Sequence, residues 1–135
     1  MSMLLIPVLL GAQSHVRKAE LDNMLISAVG KYNERELDAA DSLLKSVLSE
    51  DPANDAAHYW ASLVYVEKND AANAEVHLKK AVELDPSNFW YRYRLARLYQ
   101  VTSRPELTVD MYEKLMEDFP KKSELYFNLM QLYAA

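Results

Sequence analysis

Tyr65-Val66-Glu67-Lys68-Asn69-Asp70-Ala71-Ala72-Asn73-Ala74-Glu75-Val76-His77-Leu78-Lys79-Lys80-Ala81-Val82-Glu83-Leu84-Asp85-Pro86 is the stretch whose reading decides the fold. It reads as the end of one helix, a tight turn and a complete second helix. Asn69-Asp70 breaks the first helix, and Asp70 is placed to cap the second. Ala74, Leu78, Ala81 and Val82 then recur at spacings of four, three and one, the apolar stripe of a helix. Pro86 cannot continue that helix and pushes Asp85 toward an extended conformation.

The same punctuation recurs on both sides. Pro52, Pro86 and Pro120 are 34 residues apart, and so are Tyr65, Tyr99 and Tyr133. Ala40 and Ala74 align with Thr108; Leu44 and Leu78 align with Tyr112; Val47 and Ala81 align with Leu115. Leu95 and Leu129 align, with Ala61 and Ser27 as smaller counterparts. An interval of 34 residues is the length of two helices with their turns. In the second copy Asn54 is placed to cap a helix bearing Ala57, Ala61, Val64 and Tyr65. In the third, Ser87 or Asn88 starts the first helix. Ser103 with Glu106 reads there as a capping box around Pro105. The helical spacing makes Leu44, Leu78, Tyr65, Tyr99 and Tyr133 core residues.

These residues resemble the tetratricopeptide-repeat (TPR) family, over residues 21–135. The family's aromatic early in the first helix is Met24, His58 or Arg92 here, and only Tyr126 keeps it. The glycine often found between the helices is Arg35, Asn69 or Ser103. The resemblance implies an all-α fold: a right-handed superhelical solenoid of antiparallel helix pairs, with three repeats plus the first helix of a fourth. The array is expected over residues 14–135, with repeats at about 21–54, 55–88 and 89–122 and a partial copy at 123–135. It stops on a first helix, Glu124 to Ala135, that is apolar on more than one face. That implies either a longer parent chain or a partner covering this end.

Composition narrows the function. The chain of 135 residues is half hydrophobic, which supplies a core. Gly11 and Gly30 are its only glycines, too few for phosphate loops or β-sandwich turns. A net charge of −5 argues against a nucleic-acid partner. There is no cysteine, so disulfides and thiolate chemistry are excluded. The three histidines, His15, His58 and His77, share no ligand spacing, and neither a metal site nor a cofactor is expected. No nucleophile elbow or phosphate loop is present, so an enzyme is not expected.

Met3 to Leu10 is an apolar run followed by Gly11-Ala12-Gln13. Residues 1–13 resemble the apolar region and cleavage site of a secretory signal peptide, although no Lys or Arg precedes them. An exported or periplasmic location follows from that reading. The alternative is a helix docked on the first repeat, in a cytoplasmic protein. The run is too short to span a bilayer, so no stable membrane span is expected.

The resemblance implies that the first helices of the repeats line a concave groove that binds a protein or peptide. The positions it points to are Leu25, Ile26, Val29 and Asn33 in the first copy. They are Tyr59, Trp60, Leu63 and Glu67 in the second, and Trp90, Tyr93, Arg94 and Arg97 in the third. The partial fourth offers Glu124, Phe127, Asn128 and Gln131. Independently, aromatic residues beside arginine are the types that dominate binding hot spots. Arg94 and Arg97 are neighbours on a helix surface and suit a carboxylate or phosphate. The competing assignment packs Trp60 and Trp90 into the core and pairs the arginines with Glu67 or Glu124. A lysine–asparagine clamp for a terminal carboxylate is not expected, because Leu25 and Val29 occupy its first positions. The functional expectation is a non-catalytic protein-interaction scaffold. The alternative is a self-assembling module that associates through its C-terminal helix.

Overall fold

The computed structural model describes residues 5–135, with side chains from Val8 onward; Met1 to Leu4, where the apolar run begins, lie outside the described residues. The described residues form seven helices and no strand. They are α1 (Leu5–Asn33), α2 (Leu37–Glu50), α3 (Asp55–Glu67), α4 (Ala71–Leu84), α5 (Phe89–Val101), α6 (Pro105–Asp118) and α7 (Ser123–Ala134). Helices α2, α4 and α6 begin at residues 37, 71 and 105; α3, α5 and α7 begin at 55, 89 and 123. The 34-residue interval of the prolines is therefore the interval of the helical hairpins.

Each turn between paired helices is built alike. Arg35, Asn69 and Ser103 adopt left-handed backbone, with φ of 66°, 59° and 58°. The amide of the next residue bonds back five positions: Glu36 to the Lys31 carbonyl at 2.9 Å, Asp70 to Tyr65 at 2.8 Å, Arg104 to Tyr99 at 3.0 Å. With the shorter bonds from Arg35, Asn69 and Ser103 to Tyr32, Val66 and Gln100, this is a Schellman motif repeated at one interval. The side chains flanking that long bond also meet. Arg104 lies 4.6 Å from the centre of the Tyr99 ring. In the first copy, where lysine replaces tyrosine, Lys31 pairs with Glu36 at 3.0 Å.

The second helix of each pair ends as its proline demands. Asp51, Asp85 and Phe119 have ψ of 79°, 82° and 61°, and their amides close the last helical turn. Asn54, Asp70 and Asn88 cap α3, α4 and α5 through side-chain oxygens. The expected capping box at Ser103 and Glu106 does not form. Ser103 is consumed by the left-handed turn; Arg104 stands at the N-cap of α6 without a side-chain cap, and Pro105 opens the helix.

The chain divides into two compact units, Met1–Pro52 and Ala53–Ala135. In the first, α1 packs on α2. Ala28 on α1 and Ala40, Leu44 and Val47 on α2 are buried. Arg17 is held between Glu20 on its own helix and Glu50 at the end of α2. Helix α1 is continuous across residues 13 and 14, and Val8, Leu9, Leu10 and Val16 along it are exposed.

In the second unit α3 packs on α4, α4 on α5, α5 on α6 and α6 on α7. Contacts between neighbours in sequence, rather than between distant segments, are what a helical repeat requires. One core cluster joins Ala74 and Leu78 of α4 to Leu95, Leu98 and Tyr99 of α5. Another joins Phe89 and Ala96 of α5, Tyr112 and Leu115 of α6, and Leu125 and Leu129 of α7. Ala40, Ala74 and Thr108 are fully buried, the small residues that let paired helices approach. The tyrosines depart from their expected common role. Tyr99 is core, Tyr65 is half-buried, and Tyr133 is 65% exposed with its hydroxyl on Glu113 at 2.6 Å. Helix α7 packs on α6, and among the described residues no later helix covers its other side.

Candidate functional site

Helix α5 supplies the centre of the candidate face. Trp90, Tyr93, Arg94 and Arg97 fall at helical spacing, so they share one side of it. Asn88 starts the helix by accepting from the Trp90 amide at 3.0 Å, which sets Trp90 in the first turn. Trp90 is 53% exposed. Its ring meets Phe89 and Tyr93 edge-on, at 5.1 and 6.1 Å between centroids. Lys122, from the turn before α7, stands 4.7 Å from Phe89 and 5.6 Å from Trp90. Sequence reasoning missed Lys122, because nothing periodic marks a turn residue that reaches back one repeat.

Tyr93 is half-buried and stacks on Phe89. Its hydroxyl accepts from the Asn128 amide at 3.2 Å, which ties α5 to α7. Asn128 is buried by that contact, while Phe127 and Gln131 beside it are exposed and Glu124 is half-buried. Tyr112 lies beneath this pair. Its hydroxyl is buried without a hydrogen bond among the described residues. Burial, with the neighbouring Tyr93, pushes its pKa up to about 12, and Arg97 acts in the opposite direction.

Arg94 and Arg97 are exposed. Neither forms an ion pair among the described residues, so the expected pairing with Glu67 or Glu124 is not found. Other arginines of the unit are engaged: Arg92 with Asp118 at 2.5 Å, and Arg104 with Glu75. Arg94 and Arg97 border a cavity of about 160 Å³ between α3 and α5. Leu63, Leu78 and Leu98 line its interior, and Val66 and Val101 its mouth.

Along α3 the expected positions behave differently. Tyr59 is half-buried and packs on Tyr91 at 5.0 Å. Trp60 is half-buried and engaged, Leu63 is a buried wall of the cavity, and Glu67 is exposed. In the first unit, Ile26 and Asn33 are exposed, and Leu25 and Val29 are half-buried. The structure thus brings Leu63, Arg94 and Arg97 together at the cavity and Trp90, Tyr93 and Asn128 together across α5 and α7; Phe127 and Gln131 are exposed on α7. Tyr59 and Trp60 lean into packing.

His58 and His77 correct the sequence reading, which saw no relation between them. The hairpin folds α4 back along α3 and brings their Nδ1 atoms to 2.9 Å, with His77 stacked on Tyr65 at 5.4 Å. The ring centroids are 5.2 Å apart, so the nitrogens meet head-on, as in an N–H···N hydrogen bond, with no gap for an ion between them. Among the described residues no group of three or more potential ligands gathers to hold a metal. Among them, too, no helix is long and apolar enough to cross a membrane.

No protein-family model matches the sequence, and no curated protein matches it significantly. Solved structures do. The first TPR domain of Spaghetti (RPAP3) bound to an HSP90 peptide superposes with a TM-score of 0.77 at 18% identity, over 84% of this chain and 90% of that one. YrrB, a TPR protein with an unusual peptide-binding site, gives 0.75 at 21% identity, over 90% and 64%. An O-GlcNAc transferase mutant of Thermobaculum terrenum gives 0.74 at 22% identity, over 85% of this chain. This chain spans 22% of the transferase and less than two thirds of YrrB. The hairpin interval, the repeated left-handed turns and these superpositions agree: the chain has the fold of a tetratricopeptide-repeat protein.

Proposed function

We propose that the chain is a non-catalytic protein-interaction scaffold that holds a peptide or protein segment across the first helices α3, α5 and α7. One observation carries this reading. The α5 face presents a 53% exposed tryptophan beside two arginines that have no carboxylate partner among the described residues. Exposed aromatic surface beside arginine matches the composition of binding hot spots. The peptide named with the RPAP3 domain, and the peptide-binding site named for YrrB, support the same class of function on the same fold.

Site-specific photo-crosslinking tests the face. A benzophenone amino acid at Trp90 or Phe127 is expected to capture a partner polypeptide. The same group at Val76, more exposed than either but on second helix α4, is expected to capture none. Equal capture from Val76 defeats the assignment of the face.

A second reading is self-association through α7, where Met130 is 62% exposed. Leu125 on the same helix is fully buried, so Met130→Glu is the cleaner probe. Light scattering across a concentration series separates the readings, since a groove binder stays monomeric. Export directed by residues 1–13 stands as a proposal of its own, tested by deleting Met1 to Gln13 and following secretion.

A further inference from the structure

The cavity between α3 and α5 has features that a general interaction face does not require. Its interior is mostly apolar: Leu63, Leu78 and Leu98 are 9%, 2% and 5% exposed, and the hydroxyl of Ser62 beside them is spent on the Tyr59 carbonyl at 2.6 Å. Its mouth is apolar as well, for Val66 and Val101 are 45% and 70% exposed. Both valines sit in the last turns of their helices, where solvent-facing residues are ordinarily polar. The volume, about 160 Å³, compares with the roughly 150 Å³ of an apolar cavity that stays dry and takes up benzene. It therefore suits one leucine, methionine or phenylalanine side chain. Arg94 and Arg97 stand at the same opening, one turn apart.

We propose that this cavity is an anchor pocket for one large apolar side chain of a bound peptide, with an oxyanion within one or two residues of it held by Arg94 and Arg97. The proposal rests on the groove reading above and names its ligand. Charge complementarity selects the oxyanion. In a chain of net charge −5, two arginines with no carboxylate partner among the described residues, at the mouth of an apolar cavity, mark where a negative group is welcome. Guanidinium groups hold carboxylate and phosphate alike through paired N–H donors. The length of the face selects a peptide over a small amphiphile. From Trp90 to Val101 helix α5 runs about 16 Å, the span of roughly five extended residues. The anchoring group is a side chain within the peptide, so no free C-terminus is needed.

An array of short blocked peptides, N-acetylated and C-amidated, tests this with the full chain. The central residue is Leu, Met, Phe, Ala or Lys, and its neighbours are Glu, phosphoserine, Gln or Lys. Retention is expected for the large apolar centres with Glu or phosphoserine neighbours, about tenfold above the alanine centre and above Gln neighbours. The Glu and phosphoserine arms identify which oxyanion is preferred. Free-acid versions are expected to bind no better than amides. Arg94→Glu with Arg97→Glu moves the selection to Lys neighbours, a change that loss of folding cannot imitate. Val101→Trp, at an exposed site, covers the mouth and lowers binding about tenfold. Indifference to the central residue, or selection untouched by both variants, overturns the pocket. If those variants bind normally while Trp90→Ala or Phe127→Ala abolishes retention, the pocket falls and the groove reading stands. If nothing is retained, both fall.

Discussion

Ser103→Gly is expected to stabilise the second unit. Ser103 holds φ of 58°, where a side chain's Cβ crowds the following carbonyl. That costs about 1–2 kcal/mol for a residue other than glycine. Its side chain makes no hydrogen bond among the described residues, so nothing is lost on replacement. Glycine also loosens the unfolded chain, which takes back about 0.4–1 kcal/mol. The net gain is about 0.5–1 kcal/mol, or a rise of about 2–5 °C in Tm for a domain of this size. Urea titration gives the free energy. Hydrogen exchange at the Arg104 amide, bonded to Tyr99 at 3.0 Å across this turn, places it locally. Ser103→Ala is the control. It keeps the backbone cost and removes the hydroxyl, and should match the parent within about 0.5 kcal/mol. A capping box at Ser103 predicts instead a loss of about 1 kcal/mol in Ser103→Ala. That loss, or a Ser103→Gly protein no more stable than Ser103→Ala, would refute the reasoning.

Asn88→Ala should cost about 1 kcal/mol in urea unfolding, because the side chain caps α5 through the Trp90 and Tyr91 amides. Glu75 is held below the usual carboxylate range, first by its hydrogen bond to Arg104 and then by Lys79, against opposing burial. Its contribution is therefore present above the ordinary glutamate pKa of 4.5 and lost as pH falls through the lowered value, so Glu75→Gln should be less stable at pH 7 and converge with the parent in acid. Tyr112→Phe removes a buried hydroxyl that forms no well-aligned hydrogen bond among the described residues, with Arg97 beside it, and should be neutral or stabilising by about 1 kcal/mol; a loss of that size would show that Arg97 bonds to the hydroxyl.

The hairpin interval was legible because the residues that set it act locally. Pro52, Pro86 and Pro120 push the residue before them out of the helical conformation, and Asn54, Asp70 and Asn88 cap with their own side chains. Where several local devices competed for one residue, the reading failed. Ser103 suits a cap, yet the turn needed a left-handed residue at that register, as at Arg35 and Asn69. Tyr133 shares its register with Tyr99 but not its surroundings. Tyr99 is enclosed by residues of α4 and by Arg104, whereas Tyr133 has α6 alone among the described residues. Burial belongs to the neighbours, and a repeat pattern states only the register.

The placement of the candidate residues was legible by helix but not residue by residue. Trp60 and Trp90 occupy different registers, so the repeat assigns neither to groove or core. That Arg92 and Arg104 pair with carboxylates while Arg94 and Arg97 form no ion pair among the described residues depends on distances between helices that a linear pattern does not contain. The His58–His77 contact was hidden for the same reason: it exists only once the turn at Asn69 has folded α4 along α3.

This division of labour has a consequence for substitution. Helix ends and buried stripes hold the array, so the exposed side of α5 is free to vary without loss of the fold. Arg94→Glu and Arg97→Glu should change stability by less than about 0.5 kcal/mol, since both side chains are exposed and no ion pair is broken. Leu98→Ala, one residue further on, removes a side chain that is 5% exposed and should cost about 2–5 kcal/mol. The contrast between adjacent residues is the measurement. If charge reversal at Arg97 unfolds the unit as Leu98→Ala does, Arg97 is a structural partner of the Tyr112 hydroxyl beneath it rather than a group kept for a ligand.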